Sequence, residues 1–536
     1  MKFRGVSKTR KQIGRCAVVA LVLALTVCAG AWAANKTIRT IDGHGNNLDH
    51  DDWGRAGTKL LRLTTVDYGD GRSTPAGADR PGARAISNAS ADQPASKKNA
   101  AGMSHFIWAW GQFVDHDISL TGSAEPREEM SIPVPAGDPF FDPAATGRMT
   151  IPFARSVYGK GKVRQQLNQI TAWIDASQVY GSDEARARAL RRRKGTGDRL
   201  KNGGNRLLPH NRKGFANAPS DLEPSMFLAG DVRANENAAL TSLHVLFVRE
   251  HNRITRMLRR RGGLTAEQRY QLARALVGAE MQAITFNEFL PALLGPDAIA
   301  PYDGYDPTIH PGIANIFSTA CYRIGHSMLP SRLPRIGADG EAVDDGHLRL
   351  RDAFFAPGVV VESGIEPFLR GLASARSQEV DSLVIDDVRN FLFGKPGQGG
   401  FDLAALNIQR GRDHGLPSYN QARTDFGLAP AATFADVTSD VEAQQRLAGI
   451  YDSVDDIDVW VGVLSEDHVP GAMVGEVAFH VLRDQFERLR DGDRFWYQNG
   501  LPEEFHDWPE RHPLAEIIRL NTDIGDELRD DLFSMP

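Results

Sequence analysis

Three long stretches with the apolar spacing of helices constrain the fold of this chain most. They cover residues 103–120, 237–259 and 266–289, and each is free of proline and poor in glycine. Within residues 237–259, apolar side chains recur every three or four positions, which is the period of one helix face. Glycine and proline collect in the gaps instead, as at 295–312 and 394–400, where they favour turns.

The helical pattern begins near residue 101 and continues to the end of the chain without a visible linker or repeat. The alternation typical of strands is scarce. We therefore expect a mainly α-helical fold with little β structure, formed by a single large domain over residues 34–536. Residues 34–100 are rich in Gly, Asp, Asn and Arg with weak periodicity, which predicts an irregular N-terminal arm wrapped on that domain.

The first 33 residues have the pattern of a Sec-type signal peptide. Six basic residues and no acid precede position 16, an apolar run covers 17–30, and Ala31-Trp32-Ala33 follows. The basic, apolar and small-residue regions in this order are typical of a cleaved signal, and the apolar run is shorter than the roughly 20 residues that span a bilayer. We expect a secreted protein, extracellular or periplasmic, with no stable membrane insertion after cleavage. An uncleaved membrane anchor is the alternative.

The net charge and the number of cysteines limit the functions and the stabilising cross-links that the chain can have. Loss of the signal segment lowers the 62 basic residues to 56 against 68 acidic ones, a net charge of −12, so nucleic acid is not an expected partner. Cys16 and Cys28 lie in the signal segment, which leaves only Cys321. An exported chain with one thiol has no internal disulfide, so its core must stabilise it.

The stretch WGQFVDHDISL at 110–120 concentrates polar side chains inside an apolar helix. Helical spacing places Gln112, Asp115 and His116 on one face and turns Asp117 away from them. Burying such a cluster is costly unless its members have partners or a chemical task. On this segment alone, a buried histidine held by its neighbours remains an equal alternative.

Two further segments carry charged or ligating residues one helical turn apart. Within residues 227–253, Arg233 and Glu236 stand at the predicted start of a helix, where a carboxylate suits the positive end of the helix dipole. A surface ion pair is the simpler interpretation. In residues 316–330, Arg323 and His326 interrupt an apolar run, and Gly325 leaves room beside the histidine. This spacing suits a haem ligand or close helix packing.

A fourth segment, LNIQRGRDHGLPSYN at 406–420, places Asn407 and Arg410 one turn apart. Such a density of polar residues is unusual in a core helix and typical of a site. In the same order along the chain, the four segments resemble the haem-site segments of the animal-type peroxidases, the group that includes myeloperoxidase. Weaker similarity at 38–50, 455–466 and 488–499 extends the resemblance over roughly residues 38–525.

The resemblance implies a helical haem peroxidase domain that reduces hydrogen peroxide through an oxoferryl intermediate. His116 matches the distal histidine, which accepts the peroxide proton and returns it to the leaving oxygen. Arg233 matches the distal arginine that stabilises the developing negative charge. Gln112 would orient peroxide or a small anion.

On the opposite face of the haem, His326 matches the proximal iron ligand. Asn407 would accept a hydrogen bond from its other ring nitrogen. Arg323 and Arg410 match positions that pair with the haem propionates, for which a guanidinium fork is suited.

The same resemblance implies a haem b derivative bound covalently, with esters from Asp115 and Glu236. Asn237 stands where myeloperoxidase has a methionine that forms a sulfonium link, so that link is impossible here. This disfavours chloride oxidation and favours bromide, iodide, thiocyanate or phenolic donors.

A fifth segment, TAWIDASQVYGS at 171–182, resembles the calcium loop of the family. Thr171, Trp173, Asp175 and Ser177 alternate and would point the same way in an extended loop. Together with Asp117 they would offer oxygen atoms to a calcium ion, Trp173 through its carbonyl only. Without the resemblance, this loop would be interpreted as structural.

The chain departs from animal members of the family in its cysteines. Those members are rich in disulfides, whereas here Gly45 stands where a cysteine is usual. We infer a bacterial-like or otherwise minimal member. Its oligomeric state cannot be inferred from the sequence.

Two alternative functions remain, one of them an enzyme of the same superfamily and the other a protein without turnover. A fatty-acid dioxygenase of the same superfamily would have a radical-forming tyrosine three residues before the proximal histidine, but Arg323 stands there and Tyr322 is one position away, about 100° around a helix. The other alternative is a haem-fold adhesion or matrix protein without turnover.

Overall fold

The computed structural model describes residues 38–192, 197–220 and 223–536. The predicted signal peptide at 1–33, with Cys16 and Cys28, lies outside the described residues.

Helices dominate the described chain, which confirms the mainly α-helical fold. In chain order, the α-helices are Ala83–Ser90, Phe106–Ile118, Ser177–Tyr180, Glu184–Leu190, Ala238–Arg261, Ala266–Ile284, Leu290–Leu294, Asn315–Thr319, Leu350–Ala353, Pro357–Ser363, Glu366–Ser374, Asp386–Arg389, Leu403–Asp413, Tyr419–Asp425, Val441–Ala448, Val459–Ser465, Glu476–Asp491, Tyr497–Gly500 and Leu514–Asn521. Among the described residues, none of these helices has both the length and the apolar character that a membrane span requires.

Shorter helical turns join these helices. The 3₁₀ turns are Gly204–Arg206, Cys321–His326, Phe434–Asp436, Val454–Asp456, Glu503–Phe505 and Pro509–Arg511, and a π-helical turn covers Thr285–Phe289.

The three predicted long helices form where the apolar spacing placed them, and local signals set their ends. Phe106–Ile118 occupies the first stretch. Ala238–Arg261 begins after Asn237, whose side chain accepts the Leu240 backbone N–H and so caps the helix. Ala266–Ile284 begins with a capping box between Thr265 and Gln268.

Strands are short and confined to small antiparallel sheets. The strand pairs are Thr58–Lys59 with Gln165–Asn168, Tyr158–Gly159 with Gln165–Asn168, Ile132–Pro133 with Thr150–Ile151, and Arg332–Leu333 with Leu348–Arg349. In the first pair, Thr58 lies opposite Asn168. This pairing attaches the N-terminal segment to the chain that leads into residues 171–182.

Residues 38–100 are irregular apart from the Thr58–Lys59 strand and the Ala83–Ser90 helix. A buried ion network attaches this segment to the helical body: the Arg84 guanidinium lies 2.7 Å from Asp138 and 2.8 Å from Asp402, and all three side chains are fully buried. Buried charges are tolerated only when paired in this way.

The aromatic core lies directly behind the Phe106–Ile118 helix. Trp110 and Phe113 on this helix pack against Phe247 of the Ala238–Arg261 helix, with ring centroids 5.8 Å and 5.4 Å apart. All three side chains are fully buried. This packing holds the helix that carries His116 rigidly against the longest helix of the molecule.

Candidate active site

A cavity of about 340 Å³ lies between the Phe106–Ile118 helix on one side and the Cys321–His326 turn and Leu403–Asp413 helix on the other. Its wall includes the following sequence-predicted residues: Gln112, Asp115, His116, Arg233, Glu236, Arg323, His326 and Arg410. Four segments that are distant in the chain therefore meet at one cavity. We call the side with His116 distal and the side with His326 proximal.

His116 is held as a neutral imidazole. The side chain is 3% exposed, and burial, followed by the positive charge of Arg233, lowers its pKa well below the usual value. Its Nδ1 lies 3.6 Å from Asp231 and its Nε2 3.7 Å from Glu236. Nδ1 has no hydrogen-bond partner among the described residues. A neutral imidazole at a cavity wall can accept a proton from a ligand.

Arg233 is fixed by Asp231, a residue that the sequence analysis did not single out. Its guanidinium donates two hydrogen bonds of 2.9 Å to the Asp231 carboxylate and one of 2.8 Å to the Ser119 carbonyl, and Nη1 lies 3.3 Å from Asp115. Although burial opposes it, Arg233 lowers the pKa of Asp231, which is thus ionised. The Asp-x-Arg spacing at 231–233 is the sequence signal for this ion pair. The spacing predicts a pair only when the backbone conformation of this segment is known.

One local expectation for this segment is wrong. Arg233 and Glu236 do not stand in the first turn of a helix, because the helix begins at Ala238. They flank a tight turn in which the Glu236 N–H donates to the Arg233 carbonyl at 2.8 Å. Asn237 is the residue that caps the helix N-terminus, so the Glu236 carboxylate does not meet the positive end of the helix dipole as expected, and the ion-pair partner of Arg233 is Asp231.

Glu236 belongs to an amide network with Gln112 and Asn237. Gln112 donates to Glu236 Oε2 at 3.0 Å and accepts from Asn237 Nδ2 at 3.0 Å. Burial raises the pKa of Glu236 to about 7, and burial likewise raises the pKa of Asp115. Burial thus disfavours the charged form of both carboxyl groups at this cavity, which suits contact with an apolar macrocycle.

On the proximal side, His326 ends the Cys321–His326 turn, and this turn is 3₁₀ where an α-helix was expected. Residues three apart eclipse in a 3₁₀ helix, so Arg323 and His326 remain neighbours. Burial, followed by Arg323, lowers the pKa of His326 to about 3. The imidazole is therefore neutral, which is the state that ligates iron.

Asn407 contacts His326 as expected, but with the opposite polarity. Its Nδ2 lies 2.7 Å from His326 Nδ1, while its Oδ1 accepts a hydrogen bond of 3.0 Å from Arg323. The reason is that a guanidinium can only donate, so Arg323 takes the amide oxygen. A His326 that ligates through Nε2 carries its proton on Nδ1, so the Asn407 amide would turn over for that state.

Arg323 and Arg410 are cations at the proximal cavity wall. Arg410 donates to Ser156 Oγ at 2.6 Å, packs over the Phe153 ring at 4.1 Å, and has a pKa lowered by burial to about 10. Among the described residues, no carboxylate lies within ion-pairing distance of Arg323. Buried guanidinium groups beside a cavity suit a ligand with carboxylate groups.

The predicted calcium residues meet next to the distal helix. Asp117 accepts backbone N–H bonds from Asp175 at 3.1 Å, Ala176 at 3.0 Å and Ser177 at 2.5 Å, and Thr171 Oγ1 donates to Asp175 at 3.2 Å. The loop is not extended, because Ala176 has a φ of 62°, in the left-handed region. Residues 171–181 are all buried. The expected alternation is therefore wrong, and bends in the backbone bring these groups together.

The electrostatics of this loop suit a cation. Burial, and next the neighbouring Asp175 charge, raise the pKa of Asp117 well above its usual value. Asp175 Oδ2 has no hydrogen-bond partner in the described chain; its nearest cation is Arg274 at 3.8 Å. Trp173 contributes its indole to packing, with Nε1 donating to the Gly43 carbonyl at 3.3 Å. Two adjacent buried carboxylates with spare oxygen capacity fit a hard divalent ion.

A helical fold with a neutral histidine on each side of one cavity, a distal arginine and proximal cations is the arrangement of a haem peroxidase. The family model of the animal haem peroxidases matches residues 38–533, and the chain belongs to this family. Family membership makes it a peroxidase-type oxidoreductase and implies haem as its cofactor. The expected family and enzyme class are thus confirmed.

Relatives include Peroxinectin A of Dictyostelium discoideum, 34% identical over 91% of this chain and 94% of that protein. Thyroid peroxidase of Sus scrofa is 36% identical over 93% of this chain, but the match spans only 60% of its length. Among solved structures, Peroxidase A from Dictyostelium discoideum matches with a TM-score of 0.86 and 34% identity, covering 94% of this chain and all of that one.

The fold is also shared with fatty acid alpha-dioxygenase of Oryza sativa, at a TM-score of 0.76 and 20% identity over 90% of this chain and 84% of that one. At this identity the similarity concerns the fold alone.

Proposed function

We propose that this chain is a secreted haem peroxidase that reduces hydrogen peroxide at His116 and oxidises halides, thiocyanate or phenolic donors. One observation supports the proposal most: His116 and Arg233 border the distal side of the same cavity whose proximal side carries His326. The haem, when bound, supplies the iron at which the O–O bond of peroxide is cleaved.

The distal residues would manage protons and charge. His116, neutral through burial, would take a proton from peroxide and deliver it to the leaving oxygen. Arg233 stabilises the negative charge that develops on that leaving oxygen. Its ion pair with Asp231 holds the guanidinium in place, so little reorganisation is needed during the reaction.

The proximal residues would hold the cofactor. His326 would bind the haem iron through its imidazole, and Asn407, 2.7 Å from His326 Nδ1, would orient that ring. Arg323 and Arg410 neutralise the propionates. Because their roles differ, we expect substitution of His116 and substitution of His326 to cause different losses of function.

The direct test is turnover with hydrogen peroxide and a panel of bromide, iodide, thiocyanate and a small phenol. We expect His116→Ala to retain the Soret absorption of bound haem and to lose peroxide cleavage by two or more orders of magnitude, as removal of a general acid-base group does. His326→Ala should weaken haem binding itself. Equal effects of both substitutions on both properties would refute the assignment of the two sides.

Covalent haem attachment through Asp115 and Glu236 is a separate part of the proposal. Both carboxyl groups border the cavity, and Gln112 holds Glu236 in one orientation. After peroxide treatment, acid–acetone extraction should leave haem on the wild-type protein and release it from Asp115→Ala/Glu236→Ala. Release of free haem from the wild type would contradict the esters.

The choice of donor is the least constrained part of the proposal. Asn237 has no thioether sulfur, so the site cannot form a sulfonium link, and we place bromide, iodide, thiocyanate and phenols ahead of chloride. Phe354 and Phe393 border the cavity with ring centroids 5.3 Å apart, and Phe393 is 41% exposed. Such an aromatic mouth favours aromatic donors.

Calcium and secretion complete the proposal. The group of Asp117, Thr171, Asp175 and Ser177, with the Trp173 carbonyl, would bind calcium. Residues 1–33 would direct export, and N-terminal sequencing of the exported protein should find Ala34 as its first residue. A protein without turnover, which would act in adhesion or in a matrix, is excluded as soon as the panel detects oxidation.

A further inference from the structure

A cleft of about 380 Å³ opens at the surface between the turn at 70–74 and the hairpin at 158–168. None of its lining residues belongs to the wall of the active-site cavity. Its cations are Arg72, Lys160, Lys162 and Arg164. Lys59 joins them, because its Nζ donates to the Lys160 carbonyl at 2.9 Å. We call these five residues the basic cleft.

The two segments that border the basic cleft are fixed to each other. The Arg164 backbone N–H donates to the Arg72 carbonyl at 2.7 Å. The Asp70 carboxylate accepts three backbone N–H groups of its own turn, those of residues 72–74, at 2.7 to 2.9 Å. The cations are therefore presented by a backbone that is already ordered, so a ligand loses little affinity to ordering of the chain.

Arg164 is the buried member of the basic cleft, at 5% exposed. Its guanidinium donates to the Glu128 carboxylate at 2.7 Å and to the Ser156 carbonyl at 2.8 Å. It also packs over the Tyr158 ring at 3.8 Å. Its Nε is buried without a hydrogen-bond partner in the described chain. A buried donor without a partner is costly, and an anionic oxygen of a ligand can supply the missing acceptor.

The other four cations of the basic cleft are exposed and unpaired. Lys59, Arg72, Lys160 and Lys162 all reach solvent. Among the residues that the structure describes, none of these four forms an ion pair, whereas Arg164 does. The chain as a whole carries a net charge of −6. The positive field is therefore local, and it draws an anionic polymer to this face while the acidic remainder of the surface repels it.

We propose that the basic cleft binds an acidic polysaccharide through carboxylate or sulfate groups on successive sugar rings. Tyr158 borders the cleft and is 44% exposed, so it offers an apolar ring and a hydroxyl to a sugar. The lining contains this one aromatic side chain, whereas a nucleic acid is held by several rings on which its bases stack. The inference does not depend on the peroxidase function proposed above.

The test measures binding of the haem-loaded protein to immobilised polygalacturonate, with neutral dextran as the blank. Lys160→Ala/Lys162→Ala should weaken binding roughly tenfold or more at about 50 mM salt and should flatten the fall of affinity with salt, because fewer counterions are released. Arg212→Ala/Lys213→Ala is the matched control, since it removes two exposed cations outside the cleft. This control should bind within about twofold of the wild type, because screening confines the effect of a surface charge to its vicinity.

A second polymer separates a polysaccharide site from general attraction of anions. Polyglutamate has carboxylates but no sugar rings, so the wild type should bind it more weakly than polygalacturonate of equal charge. Tyr158→Ala should weaken binding of polygalacturonate and leave binding of polyglutamate unchanged. Equal weakening in both double variants would overturn the basic cleft as the binding surface. Equal affinity of the wild type for the two polymers, or tighter binding of single-stranded DNA of equal charge, would overturn the polysaccharide as its ligand.

Discussion

At the scale of single residues, the distal side is governed by protonation states that burial imposes. His116 sits between the carboxylate of Asp231 and that of Glu236, at 3.6 Å and 3.7 Å. The Asp231 charge would favour an imidazolium, yet burial and the nearby Arg233 outweigh it and lower the pKa of His116. Because its pKa is lowered, His116 remains a proton acceptor at pH values below about 6.5, at which an exposed histidine would be protonated.

This predicts how peroxide reactivity depends on pH. A base with a lowered pKa stops accepting protons only when the pH falls through that lowered value. The rate of the peroxide step should therefore stay constant from pH 7 down through the ordinary histidine pKa of about 6.5, and should fall only at a lower pH. Stopped-flow measurement of the second-order rate with peroxide checks this. Asp231→Asn removes one acid and weakens the hold on Arg233, and should lower the rate across the whole range. A wild-type midpoint at or above the ordinary histidine pKa would contradict the prediction.

At the scale of elements, the ends of helices carry more of the function than their middles. Asn237 caps the Ala238–Arg261 helix through the Leu240 N–H and also donates to Gln112. The Ala266–Ile284 helix continues into the π-helical turn Thr285–Phe289, a conformation found often near functional sites. That turn places Phe289 in the cavity wall and packs the Phe286 ring 4.8 Å from that of Trp496.

Asn237 both caps a helix and donates to Gln112, and substitutions can separate these two roles. Asn237→Ala should lower the free energy of unfolding by about 1 kcal/mol through loss of the cap, as measured by urea denaturation. Asn237→Ser keeps a capping oxygen and should cost only a few tenths of a kcal/mol, although it removes the donor to Gln112. Equal destabilisation by both variants would show that the cap is not the stabilising contact.

The calcium proposal belongs to the same scale, because it joins the distal helix to a loop. The loop also meets the Arg233 segment tightly, because a Cβ on Gly230 would clash with the Ser177 carbonyl oxygen. Chelation should therefore loosen the distal side as a whole. At a calcium concentration a hundredfold above Kd, the bound ion would stabilise the fold by about 2.7 kcal/mol.

Thermal unfolding with and without calcium measures that stabilisation. Wild-type protein should show a higher Tm with calcium than with chelator, and Asp117→Asn should lose most of the difference. Asp142→Asn is a control outside this loop, because Asp142 is occupied by the N–H groups of Thr146 and Gly147. A calcium effect that survives in Asp117→Asn would place the ion elsewhere.

At the scale of the whole molecule, packing replaces cross-links. Cys321 is buried and free, and it is the only cysteine in the described chain. Buried ion networks such as that of Arg84 with Asp138 and Asp402 connect segments that are distant in the chain. Such a chain relies on its core for stability, which its size permits.

The consequence is insensitivity to reducing agents. The Tm of the protein should be the same with and without dithiothreitol, because Cys321 is free and is the only cysteine in the described part of the chain. Burial raises the pKa of the Cys321 thiol well above its usual value, so iodoacetamide should label it in urea and leave it unmodified in the native state. A lower Tm under reducing conditions would reveal a disulfide between chains.

The sequence by itself determined the helical class, the family and the residues that border the cavity, because helix periodicity is local and four ordered motifs lie within short segments. Only the tertiary structure decided their partners. The contact of Asp231 with Arg233 depends on the conformation of the turn between them, and the contacts of Asn407 with His326 and Arg323 depend on which distant segments pack together. The Asn407 contacts join positions 81 and 84 residues apart, and no local pattern in the chain encodes them.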